Sequence, residues 1–169
     1  MSEDVTYLIA EEKWTALIGR FMMDFASIED CVHRVIKFYV EKTLIKDSQI
    51  SENFRVRLEL FKAVMAECFI DTDTTEFEST IDEIGRLYLT RNLIAHSSLS
   101  YDFKEDAERN MNFIGFNISG RRKDDISVDF EQLTDAVSKL KQCRTDLAKY
   151  MMQFHVVEFQ STYHSSPVA

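Results

Sequence analysis

Apolar residues recur every three or four positions over the first quarter of the chain. This spacing places them on one face of an amphipathic helix: Trp14, Leu17, Ile18, Phe21, Phe25, Ile28, Val32, Val35, Ile36 and Tyr39. The pattern predicts a first helix from Glu12 to Thr43, which is about 48 Å long at ~1.5 Å per residue.

Three further segments show the same helical period. A second helix is predicted from about Ser51 to Phe69. A third begins after Thr74 or Thr75, with Glu78 placed as in a capping box, and frays near Ser97. A fourth is predicted from about Phe130 to near His155.

The period changes to two between Met111 and Phe130. Ile114, Phe116 and Ile118 alternate with polar or small residues, and a turn-rich run follows from Gly120 to Asp125. Alternation on both sides of a turn predicts a β-hairpin. The fold class is therefore all-α: a helical bundle of four to five helices with a short β-hairpin inserted before the last helix.

The chain length of 169 residues is typical of one domain. We predict a single helical domain over residues 1–159 and a disordered tail over residues 160–169, where small and polar residues prevail.

Composition and charge exclude several classes of function. The net charge of −9 argues against coating nucleic acid through bulk positive charge, although a local basic site is allowed. The three cysteines form no CxxC or Cys/His cluster, so we expect no metal site, no cofactor and a reducing, cytoplasmic location. No apolar run is long enough for a membrane span, and no membrane partner is expected.

The common catalytic motifs are absent, but one string combines three polar functional groups. Arg91, Asn92 and His96 lie in RNLIAH, at the predicted end of the third helix. Asn92 and His96 are four apart and share a helix face, whereas Arg91 and His96 lie about 140° apart. One continuous helix presents this pair to a single ligand only awkwardly. Either the helix ends between them, or two copies of the string meet across a two-fold axis.

This string resembles the signature of the HEPN family (higher eukaryotes and prokaryotes nucleotide-binding domains). Its members carry an Arg, usually a polar residue next, and a His four to six residues beyond the Arg, at the end of a helix in an α-helical bundle. Glu29 in the run DFASIEDCVHRVIKFY also resembles the family's long first helix. The Tyr that follows the His in one toxin group is missing, because Ser97 and Ser98 stand there.

The resemblance implies a metal-independent endoribonuclease that acts as a homodimer. RNA carries a 2′-hydroxyl beside each phosphate, so its attack would leave a 2′,3′-cyclic phosphate and a 5′-hydroxyl. His96 would exchange protons near neutral pH, Arg91 would stabilise the anionic phosphate, and Asn92 would orient His96 or bind the phosphate. A toxin–antitoxin or anti-phage defence setting, with an antitoxin or defence-system partner protein, follows from the resemblance alone.

Further residues are candidates with simpler alternatives. Glu29 and Ser97 are candidate supporting residues, although Glu29 could equally pair with His33 on its own helix. The loop Arg121-Arg122-Lys123 is a candidate RNA contact, or a solvated hairpin tip. Arg91 could bond last-turn carbonyls or pair with Glu83.

Two rival hypotheses account for the same sequence. The first is a non-catalytic HEPN-like module that dimerises or binds a partner or a nucleotide. The second is an unrelated helical protein that shares the string by chance.

Overall fold

A computed structural model describes residues 3–42, 53–68, 73–106, 111–119 and 127–164. Within this part the protein folds as a helical bundle with four helices and a small sheet. The elements in chain order are α1 (Glu3–Glu41), α2 (Phe54–Cys68), α3 (Thr75–His96), β1 (Ser98–Asp106), β2 (Met111–Ser119), β3 (Ser127–Val128) and α4 (Phe130–His164).

The first and last helices are longer than their patterns predict. α1 begins at Glu3 instead of Glu12, and α4 continues to His164 instead of ending near His155. The predicted disordered tail therefore begins too early, because residues 160–164 are helical, while residues 165–169 lie outside the described part. Neither extension contains Gly or Pro, so an established helix can propagate through it by one backbone hydrogen bond per residue.

Side-chain caps determine where two helices begin. At α3 the side chain of Asp73 accepts from the backbone N–H of Thr75 at 2.9 Å, and Thr74 Oγ1 donates to Glu78 at 3.3 Å. At α4, Asp129 and Gln132 exchange side-chain-to-backbone hydrogen bonds of 2.8 and 2.9 Å. The carboxylates of Asp73 and Asp129 thus accept from N–H groups that the first helical turn leaves without an intrahelical acceptor, whereas the Thr74–Glu78 bond joins two side chains.

The sheet has the strand order β1-β2-β3, and both pairs are antiparallel. β1 and β2 pair over their full length, from Ser98 opposite Ser119 to Asp106 opposite Met111. The sequence pattern missed β1. β2 and β3 pair through Ile118 with Val128 and Ser119 with Ser127. The turn expected between them lies outside the described residues, so the hairpin at this place stays a prediction.

The chain divides into two compact units, and the division falls within α1, α3 and α4. Unit 1 comprises residues 1–25 and 87–140, and unit 2 comprises residues 26–86 and 141–169. A single domain over residues 1–159 stays a prediction.

Unit 1 has a core of helix residues and two sheet residues. Trp14 meets Phe130 edge to face at 5.4 Å between ring centroids, and Phe25 stacks with Tyr88 at 6.2 Å. Such aromatic pairs add to the free energy gained from burial alone. The buried apolar residues of this unit are Trp14, Phe21, Phe25, Leu87, Ile118, Val128, Leu133, Ala136 and Leu140.

Unit 2 is built around a second aromatic group. Phe77 meets Tyr150 edge to face at 5.1 Å and lies 6.0 Å from Phe61. At the edge of this core, Lys62 on α2 pairs with Glu78 and Asp82 on α3 at 3.6 and 3.7 Å. No helix of the described chain is both long enough and apolar enough to cross a membrane.

Candidate functional site

The RNLIAH string forms the last turn and a half of α3. The helix includes Arg91, Asn92 and His96 and ends at His96; Ser97 then leads directly into β1. The alternative that the helix ends between Arg91 and His96 is therefore wrong. On this continuous helix the two residues are separated by about 7.5 Å along the axis and about 140° around it.

Asn92 and His96 lie on a face of α3 that is open to solvent. Leu89, Asn92, Leu93 and His96 follow the spacing i, i+3, i+4 and i+7, which places them in one strip. We call these four residues the α3 strip. His96 is exposed, Asn92 and Leu93 are half-buried, and Leu89 is 58% exposed. Leu89 is thus an exposed apolar residue on the same strip as Asn92 and His96.

Arg91 lies on a different face, next to the residues that α3 buries. It follows buried Leu87 by four positions and half-buried Tyr88 by three, and is itself half-buried. Its Nη1 donates to Oδ1 of Asn92 at 3.3 Å, and Arg91 makes further interactions. Glu83, the acid considered as its partner, accepts a hydrogen bond from Arg86 at 2.6 Å.

Asn92 contacts Arg91 through its side-chain oxygen and shares a helix face with His96. A single protomer brings Arg91 and Asn92 together, but it does not bring Arg91 and His96 to one face.

The supporting candidates are distributed over both units. Ser97 is half-buried directly after α3, in unit 1. Glu29 is half-buried on the part of α1 that belongs to unit 2, and it is not without a partner. The candidate RNA contacts Arg121, Arg122 and Lys123 lie outside the described residues.

Sequence reasoning missed two residues of unit 1. Leu89 was not predicted to belong to the site, because a single apolar residue in a helix is compatible with either a buried or an exposed position. Asp24 was passed over within the apolar run FMMDFASI. It is only 3% exposed and is the one buried charged residue among the described side chains. Its Oδ2 accepts from Arg20 Nε at 2.7 Å, and the i,i+4 spacing of Arg20 and Asp24 was the available signal.

Two of the three cysteines, Cys31 and Cys143, have poorly nucleophilic thiols. Burial raises the pKa of the Cys143 thiol to about 11, assisted by the charges of Glu83 and Asp146. Burial also raises the pKa of Cys31, against a smaller opposing effect of Arg34. The thiolate is the nucleophilic form, so these two thiols are poor nucleophiles near neutral pH.

A resident metal has no evident site among the described side chains. No group of three or more His, Cys, Asp and Glu residues there is arranged to hold an ion. The RNLIAH string itself presents guanidinium, amide and imidazole groups.

Comparisons of the chain with protein-family models, with curated proteins and with solved structures find no match. The resemblance to the HEPN family therefore stays a prediction, which depends on the RNLIAH string and its helical setting.

Proposed function

We propose that this protein is a HEPN-type, metal-independent endoribonuclease that acts as a homodimer. The observation that carries the proposal is the position of Asn92. It accepts a hydrogen bond from Arg91 and lies on the same exposed strip of α3 as His96. A cation suited to phosphate is thus hydrogen-bonded to a polar residue that shares a helix face with a group suited to proton transfer.

The dimer is needed because of the helix geometry. Arg91 and His96 point about 140° apart on one α3, so one copy cannot readily direct both at a single phosphate. A two-fold axis at the C-terminal end of α3 would repeat the whole string there and supply a second Arg91 and a second His96 to one site. Leu89 gives this interface an apolar contact, since its 58% exposure leaves surface to bury.

The reaction needs no group beyond those of the two strings and the RNA. One His96 accepts the proton of the ribose 2′-hydroxyl, whose oxygen attacks the adjacent phosphorus. The bond from phosphorus to the 5′-oxygen breaks, and the second His96 donates a proton to that oxygen. Arg91 stabilises the additional negative charge on the phosphoryl oxygens while the phosphorus is five-coordinate.

The negative charge of the chain restricts its substrates. A protein with net charge −9 repels RNA at long range, so binding depends on local cations or on delivery by a partner. This suits an enzyme directed at a particular RNA and regulated by an antitoxin or a defence-system protein, as the resemblance implies.

The test is cleavage of varied RNAs in EDTA. We expect wild type to cut and Arg91→Ala and His96→Ala to lose cutting, since one removes the phosphate stabiliser and the other the proton-transfer group. His33→Ala is the matched control, because His33 is an exposed helical histidine outside the string. Products should carry 2′,3′-cyclic phosphate and 5′-hydroxyl ends. Cutting that requires Mg²⁺, or that persists in both variants, would contradict the mechanism.

A second candidate function is favoured by the environment of Arg91. Its half-burial and its hydrogen bond to Asn92 suit a structural role, as in a non-catalytic HEPN-like module that dimerises or binds a partner or nucleotide. An intact dimer that cuts none of the RNAs would support this candidate. A chain that remains monomeric in sedimentation would argue against both.

A further inference from the structure

β1 forms an outer edge of the sheet. The order of the described strands is β1-β2-β3, so no described strand lies on the far side of β1 along its nine residues, Ser98–Asp106. Its pairing with β2 is continuous and without a bulge, and the strand contains no Pro. Short strands, bulges and prolines are among the features that keep an edge from pairing with another chain. Since β1 has none of these three, its outer backbone groups are suited to a further strand.

The outer part of the hairpin is two strands wide within the described residues. β3 pairs with β2 at Ile118 and Ser119. The seven pairs that join residues 100–106 of β1 to residues 111–117 of β2 therefore have no third strand in the described part of the chain. A two-stranded ribbon is at best marginally stable in water, and a third strand adds hydrogen bonds and buried surface. The outer part of β1 thus gains stability from a partner strand.

The charges of β1 favour a second copy of the same strand as that partner, in one register. Two antiparallel copies can pair about a two-fold axis centred on any residue of the strand. Centred on Phe103, the pairing sets Lys104 of each copy opposite Asp102 of the other, which gives two pairs of opposite charge. A centre at residue 102 or at residues 104–106 sets identical charges opposite each other, and a centre at residues 98–101 pairs no opposite charges within the strand.

We propose that β1 is a second self-association site, at which the β1 strands of two copies pair antiparallel about a two-fold axis at Phe103. The two hairpins then form one continuous sheet in the order β2-β1-β1-β2. Successive residues of a strand alternate between the faces of a sheet, so Leu99, which is opposite buried Ile118, shares its face with Tyr101 and Phe103. The apolar face of each hairpin thus continues across the axis, and the charged pairs lie on the other face.

This site is distinct from the dimer of the proposed function. A two-fold axis that crosses the sheet at Phe103 passes about 17 Å from Ser98, which is five residues away along β1 and follows the end of α3 at His96. The two contacts therefore need different axes, and together they join dimers into a larger assembly. A contact between two strand edges buries little area, so we expect it to be the weaker of the two and to form at higher protein concentration.

The first test is a cross-link between two copies at the axis. Opposed residues of an antiparallel pair have Cα atoms about 4.5–5.5 Å apart, within the range that a disulfide spans. In a chain whose three native cysteines are replaced by Ala, we expect Phe103→Cys to give a disulfide-linked dimer on mild oxidation. Tyr101→Cys is the matched control, because it shares the face of Phe103 but its two copies lie about 13 Å apart. Equal cross-linking of the two variants, or none from Phe103→Cys at about 1 mM protein, would overturn the proposal.

The second test exchanges the charges and measures self-association by sedimentation velocity. Its background is Leu89→Gln, in which the contact at α3 is weakened. We expect Lys104→Asp to weaken the association at least about tenfold, because four acids then face one another around the axis. Adding Asp102→Lys to this variant should restore the association, since opposite charges again face each other. Lys141→Asp is the charge-matched control, because Lys141 is an exposed residue of α4 and its reversal should leave the association unchanged.

The rescue makes this test specific to the register. Association that Lys104→Asp leaves unchanged, or that the double exchange fails to restore, would overturn the pairing about Phe103. Neither test measures RNA cleavage, so the strand contact stands or fails independently of the proposed ribonuclease function.

Discussion

Leu89 allows the proposed dimer to be perturbed without disturbing the fold. It lies on the α3 strip one turn before Asn92 and two turns before His96, and it is 58% exposed. Leu89→Gln keeps the length of the side chain and a high helix propensity, but it replaces the apolar end with an amide. We expect the free energy of unfolding of the protomer to change by less than about 0.5 kcal/mol, because the site is exposed.

The effect on dimerisation follows from the exposed area. Burying a whole leucine side chain contributes about 1.5–3 kcal/mol, and somewhat more than half of this residue is left to bury. Each copy thus supplies about 0.9–1.7 kcal/mol, and the two-fold axis doubles it to about 1.7–3.5 kcal/mol. The dissociation constant should rise roughly 20–300-fold.

Sedimentation velocity over a concentration series measures this change, and RNA cleavage in EDTA should fall at concentrations where the variant is monomeric. Met23→Gln is the matched control. Met23 is 72% exposed and also belongs to unit 1, but it lies on α1 about 160° from Phe25, away from the buried face. If Leu89→Gln dimerises as tightly as wild type, the interface does not include the α3 strip and the assignment of the site fails.

Three further predictions concern stability and reactivity. The folded-state pKa of Cys143, about 11, lies above the ordinary value of 9.0, so its contribution to stability should be complete below pH 9 and lost as the pH rises from 9 to 11. Cys143→Ala should flatten that pH dependence in urea titrations; an unchanged slope would refute the assignment. Asp129→Ala removes the side chain that caps α4 through the N–H of Gln132, and it should lower the free energy of unfolding in urea by about 1 kcal/mol. Glu131→Ala is the control and should lower this free energy little. Phe61→Ala, at a fully buried site, should cost about 3–5 kcal/mol in the same assay, and a loss below about 1 kcal/mol would contradict the described core.

Local patterns were sufficient to predict the helices. The three-and-four spacing of the first helix identifies a real buried face, since Trp14, Phe21, Phe25 and Ile28 are all at most 3% exposed. The same holds in α2, where Phe54, Leu58, Phe61, Val64 and Met65 are all buried. Side-chain caps are equally local, but the cap expected from Thr74 or Thr75 is supplied by Asp73, while Thr74 bonds the side chain of Glu78. These features could be predicted because every interaction involved spans only a few residues of one helix.

The candidate site depends on packing that no local pattern contains. The sequence identified Arg91, Asn92 and His96, but only the folded chain shows Arg91 half-buried near Leu87 and His96 exposed beside Leu89. Both faces of this helix end contain apolar residues, so periodicity could not decide which face is covered.

Contacts between segments that are far apart in the sequence determined the strand β1 and the burial of Asp24. β1 forms along β2, its hydrogen bonds joining residues as far apart as Ser98 and Ser119, and strand pairing of this kind depends on the partner as much as on the strand's own residues. The burial of Asp24 likewise follows from the elements that surround α1, because a lone acid in an amphipathic helix is ordinarily solvated. The sequence by itself thus determined which segments are helical and which polar groups are candidates for chemistry. Only the tertiary structure decided which of those groups are exposed, because exposure depends on neighbours that are far apart along the chain.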